Sequence, residues 1–197
     1  MAKCKFENNS SDKCLPFHFD IPFSHLKWVD TDTPIVLESF VDSLENVVIV
    51  GIDTETKPNF KRGECANPTA LMQIALRSSS GIELVFLLDL LSLMSGVLKD
   101  VVDRALIGLF SNEKVIKIGQ GLSQDLRELR DSYPSSSAFR EMRSVIDTNV
   151  FHQHLQPTAV QNVSLKNFTR MYLHLNLVKS QQMTNWSKRP LTDSQVS

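Results

Sequence analysis

The chain has 197 residues, 42% of them hydrophobic, and its 21 basic and 22 acidic side chains leave a formal charge of -1. This length fits one globular domain of about 100–200 residues. The even charge balance excludes a global field that gathers nucleic acid, and it excludes an acidic solvating tail, so a polyanionic partner must be gripped locally by metal ions and a few placed cations.

Residues 1–25 are polar, proline-punctuated and without period, and are expected to be a poorly packed extension ahead of a domain over residues 26–197. The basic start is followed by no sustained apolar run, so neither a secretory signal nor a membrane span is expected. Cys4, Cys14 and Cys65 form no Cys-x-x-Cys pair and read as reduced thiols of an intracellular protein. A zinc site from Cys4, Cys14 and His18 has no recognisable ligand spacing.

From Thr33 the chain places a capping hydroxyl before Pro34, then Ile35, Val36, Phe40, Val41 and Leu44 at helical spacing, which predicts an amphipathic helix. Val47, Val48, Ile49, Val50 and Ile52 follow as a β-branched run, the pattern of a strand buried on both faces. Two more strands, over 69–76 and 82–88, flank the turn at Ser80 and Gly81 and read as an antiparallel hairpin. A helix over 97–110, a strand over 115–118 and a helix over 122–130 come next, then a short strand at Val145 and Ile146. Ser164 is placed to cap a helix carrying Leu165, Phe168, Met171 and Tyr172. The sum is an α/β fold, a mixed sheet with three adjacent antiparallel strands followed by alternating helices and strands.

Asp53 and Glu55 stand at the end of the central strand in GIDTETKPNF, and the period of two directs both to one side, where a carboxylate pair can hold a divalent cation. An Asp-x-Glu triplet arises by chance about once in a chain of this length, and a solvated turn would explain it equally. Its position after an apolar strand adds weight, because paired acids there repel one another unless an ion offsets them. In KVIKIGQGLSQDLRELR, Gly119 and Gly121 permit a tight turn and Asp125 falls in the first turn of the helix, able to point back across the strand ends. A first-turn acid also complements a helix dipole with no further role. Arg127 and Arg130 read as solvated charges, Trp186 as an anchor for the last loop, and His152 and His154 as surface residues of an extended stretch.

Asp53/Glu55 after the strand, NPTALMQIAL, LVFLLDL, KIGQGLSQDL and KSQQMTNWSKRPLTDSQVS together resemble the DEDD 3′ to 5′ exonucleases, in particular the Werner-type and ribonuclease D-like branch. The resemblance implies a ribonuclease H-like fold and a two-ion hydrolysis of phosphodiester bonds at nucleic-acid 3′ ends, DNA or RNA. It implies Asp53, Glu55 and Asp125 as catalytic metal ligands for magnesium or manganese. In such proteins the last segment runs into a Tyr-x-x-x-Asp helix, and this chain ends before it, so the domain is expected to be C-terminally incomplete. The alternative is a catalytically impaired nucleic-acid-binding or scaffold protein that keeps the fold.

Substrate contacts are expected near Thr54, Lys57, Leu71 and Met72, with Lys61 and Arg62 as further phosphate candidates. Leu71, Met72 and Gln73 read first as sheet-building residues, with a stacking surface for the terminal base as the alternative, and the basic side chains read first as a mobile charged loop. A haloacid-dehalogenase-type phosphatase would need Asp-x-Asp, and position 55 is glutamate. A nuclear site is the first expectation, with cytosol and mitochondrion as alternatives.

Overall fold

The computed structural model describes residues 15–16, 22–60, 63, 65–158, 162–177, 181 and 183–196. Among the described residues the strands are β1 (Leu15–Pro16), β2 (Leu26–Val29), β3 (Val47–Thr56), β4 (Thr69–Ser78), β5 (Glu83–Asp89), β6 (Ile116–Gly119), β7 (Val145–Asp147) and β8 (Leu175–Asn176), joined by a 3-10 turn at Phe23–His25 and seven α-helices. These are α1 (Pro34–Ser43), α2 (Leu90–Leu93), α3 (Lys99–Ser111), α4 (Leu122–Ser132), α5 (Thr148–Leu155), α6 (Leu165–Leu173) and α7 (Asp193–Val196).

Six strands build one sheet in the order β2-β5-β4-β3-β6-β7, and β1 pairs with β8 apart from it. The three adjacent strands β3, β4 and β5 are antiparallel, while β6 joins β3 in parallel and β7 joins β6 in parallel. This is the mixed sheet of the ribonuclease H-like fold. Parallel pairing aligns the carboxyl ends of β3, β6 and β7 along one edge, where loops from neighbouring strands meet and ligands commonly bind in α/β sheets.

The sequence reading missed β2, which pairs in parallel with β5 at the sheet's outer edge. Four residues are too short to carry a period, and only the partner strand defines the pairing. The predicted helix over 97–110 begins at Lys99, with Val97 left 94% exposed. Thr33 does not cap α1 with its side chain; its hydroxyl bonds to Asp30 Oδ1 at 2.9 Å instead. Ser164 does cap α6, accepting from the Asn167 N–H at 3.3 Å.

The strand alternation divides the core between two faces. On one face Val50, Ile52, Met72, Ile74, Phe86 and Leu88 pack under Leu37 and Phe40 of α1, Leu106 and Phe110 of α3, and Leu122 and Leu129 of α4. On the other, Ala70, Leu71 and Leu87 are covered by Trp186, with Trp28 and Leu191 beside it. Trp186 is therefore an anchor for the final segment, as expected for it in TNWSKRPL.

Candidate functional site

The site grows from the end of β3. Val50 and Ile52 belong to the helix-covered face, so Thr54 follows them there, and Asp53 and Glu55 take the opposite face. Across the antiparallel ladder Asp53 sits opposite Gln73 and Glu55 opposite Leu71. Asp53 is exposed and Glu55 half-buried, and one oxygen of Asp53 accepts the Thr54 N–H at 3.0 Å.

Asp125 arrives from the helix layer. β6 ends at Gly119, where an added Cβ would stand 2.7 Å from the Ile52 carbonyl oxygen and 2.6 Å from Leu122 Cδ2. Only glycine lets the chain pass that close to β3. Gly121 then adopts a left-handed conformation, φ 77°, and α4 begins. This turn carries Asp125 in the first helical turn, where the Thr54 hydroxyl donates to its carboxylate.

The environment raises the Asp125 pKa to about 7. Burial is the largest cause, followed by the negative charges of Asp53 and Glu128; the Thr54 hydrogen bond opposes them, and Asp147 adds to the rise. Asp125 Oδ2 is buried with no hydrogen-bond partner. A buried oxygen without a donor costs about 1–3 kcal/mol, and a proton or a cation would relieve both that and the repulsion from Asp53.

Asp53 and Asp125 are thus brought together from two layers. Their all-oxygen chemistry and the orphaned Oδ2 fit a hard divalent cation such as magnesium or manganese rather than zinc. Among the described residues, no group of three or more His, Cys, Asp or Glu side chains is arranged to hold a metal ion.

The other expected residues divide. Thr54 touches Asp125 directly, and Lys57 is exposed just beyond β3. Leu71 and Met72 have no exposed surface and lie on opposite faces of the sheet, so as placed they serve the core and present nothing to a base. Arg127 and Arg130 are exposed, as expected. Lys61, Arg62, Cys4, Cys14 and His18 lie outside the described residues, and Cys65 is a free, exposed thiol.

His152 and His154 correct the reading of an extended surface stretch, because both lie on α5 and His152 is 1% exposed. His152 Nδ1 is 2.8 Å from the Tyr172 hydroxyl and ties α5 to α6. Asp147 and Arg189 were not singled out from the sequence. Asp147 caps α5 by accepting the Asn149 N–H at 2.8 Å and also takes the Gly121 N–H at 2.7 Å. An acid directly before a Thr-Asn helix start is a capping signal that sequence offers; its reach to Gly121 is not.

Among the described residues no helix is long and apolar enough to cross a membrane. The chain is 29% identical over 161 residues to the human exonuclease mut-7 homolog, covering 75% of this chain and 18% of that protein. It is 25% identical over 186 residues to the mut-7 homolog of Aedes aegypti, covering 88% of this chain and 24% of that one. It therefore spans about a fifth to a quarter of the length of these relatives.

Among solved structures, the Nibbler EXO domain of Aedes aegypti aligns with a TM-score of 0.73 at 24% identity, over 90% of this chain and 82% of that one. The RNase D of Trypanosoma brucei in complex with RNA U12 aligns with a TM-score of 0.67 at 19% identity, over 87% and 57%. At these identities the alignments establish the fold. The sequence profile of the 3′-5′ exonuclease domain matches residues 27–197, nearly the whole chain, and on that match the protein belongs to the 3′-5′ exonuclease family.

Proposed function

We propose that this domain removes nucleotides from the 3′ end of nucleic acid by hydrolysing phosphodiester bonds, with Asp53, Glu55 and Asp125 as the ligands of two magnesium or manganese ions. The observation that carries this reading is the Asp53/Asp125 pair at the carboxyl edge of the sheet, with Asp125 protonatable near neutrality and one oxygen buried without a donor.

Asp53, exposed at the end of β3, and Glu55, half-buried on the same face, would hold the ions from the sheet. Asp125 would hold them from α4, its carboxylate steadied by the Thr54 hydroxyl. Bound ions of this kind offset the phosphate charge and acidify the attacking water. Lys57, solvated at the mouth of the site, contacts a backbone phosphate. A terminal strand gripped at a few nucleotides needs no basic surface, which is compatible with the formal charge of -1.

The test is a digest of a 3′-labelled oligonucleotide, single-stranded or recessed, in magnesium or manganese. Stepwise shortening by the wild type and its loss in Asp53→Ala are expected; trimming that survives in Asp53→Ala defeats the reading. DNA and RNA substrates run in parallel assign the preferred sugar.

A second reading, a nucleic-acid-binding protein that keeps the fold with impaired catalysis, draws on the lack of a closed three-ligand group among the described residues. It predicts oligonucleotide binding without shortening in either ion.

A further inference from the structure

A ring of four hydrogen bonds, two of them reaching across from the turn before α4, ties that turn to Asp147, Asn149 and Val163. Asp147 Oδ2 accepts the Gly121 N–H at 2.7 Å, and Asp147 Oδ1 accepts the Asn149 N–H at 2.8 Å. Asn149 Oδ1 accepts the Val163 N–H at 2.9 Å, and the Val163 carbonyl accepts from Gln120 Nε2 at 2.6 Å. The ring begins and ends on adjacent residues of the turn, Gln120 and Gly121.

Gly121 is the residue through which this ring reaches the site. Its own carbonyl accepts the N–H of Gln124 at 2.7 Å and that of Asp125 at 3.2 Å. A short path therefore runs from the Asp147 carboxylate, through both sides of Gly121, to the backbone of Asp125. As the N-cap of α4, Gly121 has no side chain with which to set the helix start. With φ at 77° it has access to conformations that other residues avoid. Its orientation must be imposed from outside, and Asp147 is the group that grips its N–H.

We propose that Asp147 is a positioning residue for the Asp53/Asp125 pair: by holding Gly121, it fixes the first turn of α4 so that the Asp125 carboxylate takes the Thr54 hydrogen bond and stands within electrostatic reach of Asp53 at the end of β3. Asp147 itself is not a catalytic residue. Both its oxygens are already committed to backbone N–H groups. Register explains its reach, because β7 pairs with β6 so that Asp147 stands beside Gly119, two residues before Gly121. The inference rests on the reading of Asp53 and Asp125 as an ion site and adds the group that sets its geometry.

The experiment titrates the purified chain with Mn2+ alone, reading free ion by electron paramagnetic resonance, with oligonucleotide trimming measured separately. Asp147→Ala is expected to weaken Mn2+ binding about 10- to 100-fold, the usual cost of removing a group that orients a ligand, and to lower kcat with KM for the oligonucleotide little changed. Asp147→Asn keeps one acceptor oxygen and so grips one of the two N–H groups, giving an intermediate loss. Gln120→Ala and Asn149→Ala cut the ring without altering charge, and each is expected to weaken Mn2+ binding severalfold.

Leu109→Ala, in α3 and outside this chain of bonds, supplies a variant of comparable lost stability. Equal Mn2+ affinity in wild type and Asp147→Ala overturns the proposal. So does a loss no greater than that of Leu109→Ala, or a loss in Asp147→Ala with none in the two neutral ring variants, which would mark a charge effect alone. Should Asp147→Ala fail to fold, Asp147→Asn and the ring variants carry the comparison. A wild type that binds Mn2+ but trims nothing defeats the exonuclease reading while leaving Asp147 decided by affinity; a wild type that binds no Mn2+ defeats both.

Discussion

Arg189 clasps Asp89 across one hundred residues of chain, Nη2 to Oδ1 at 2.6 Å and Nε to Oδ2 at 3.0 Å. Asp89 is 5% exposed at the end of β5, and the same guanidinium donates to the carbonyls of Ala70 at 3.2 Å and Trp186 at 2.7 Å. It also lies 5.3 Å from the Trp28 ring centre. One side chain thus fastens the final segment to three strands, β2, β4 and β5, on the face that carries Glu55.

Removing Arg189 leaves the Asp89 carboxylate buried and uncompensated, which costs about 3–5 kcal/mol, while removing Asp89 leaves Arg189 a quarter exposed with the Ala70 and Trp186 carbonyls still in reach and costs less. Asp89→Ala and Arg189→Ala are each expected to lower the urea midpoint accordingly. Arg189→Lys, which cannot reproduce the planar two-pronged contact, should fall between them and wild type. Midpoints unchanged in both alanine variants would show that the clasp contributes nothing.

Stability should depend on pH through Asp125. Its folded pKa of about 7 lies above its ordinary 3.8, so between these values the folded state retains a proton that the unfolded chain releases. The contribution is fully present below about pH 4 and is lost as pH rises through 7. For a partly solvated carboxylate the loss is about 1–2 kcal/mol after allowance for screening. Chelator-treated wild type should therefore melt lower at pH 8 than at pH 5, and Asp125→Asn should flatten that difference. Added Mn2+ should raise the melting temperature more at pH 8, where the carboxylate is charged.

Two glycine substitutions should have opposite signs. Gly119→Ala drives a methyl against the Ile52 carbonyl and Leu122, and a cost of about 1–3 kcal/mol is expected for such crowding. Gly108→Ala, in α3 with nothing within 4 Å of the added Cβ, should stabilise by about 0.5–1 kcal/mol through lower backbone entropy of the unfolded chain. Chemical denaturation of both variants beside wild type checks the pair.

Lys57→Ala tests the phosphate contact. If Lys57 meets a backbone phosphate, its loss reduces the slope of log affinity against log salt by about 0.7 for a single strand. The weakening should be similar for all sequences. Binding measured at several salt concentrations, in the Asp53→Ala background to prevent trimming, gives the slope directly; an unchanged slope places Lys57 in solvent.

Several parts of this architecture were legible in the residues. The β-branched run at 47–50 announced β3, and the acids at its end followed from the period of two. The serine-glycine turn announced the β4/β5 hairpin, and the paired glycines marked the approach of Asp125. Other parts were hidden for physical reasons. The apolar pattern in α5 is short, and its capping acid Asp147 doubles as a strand terminus, so His152 read as extended and exposed while it is helical and buried against Tyr172.

The sequence by itself determined the helices α1, α3, α4 and α6, the strands β3 to β7 and the acids at the end of β3 and the start of α4, because propensity, capping and apolar period act over a few residues at a time. Only the tertiary structure decided that Asp125 reaches Asp53 from the opposite layer, that Asp147 grips Gly121, and that Arg189 closes on Asp89. These are contacts between residues 26 to 100 positions apart, selected by sheet register and by the requirement that buried polar groups find partners, neither of which leaves a local mark on the chain.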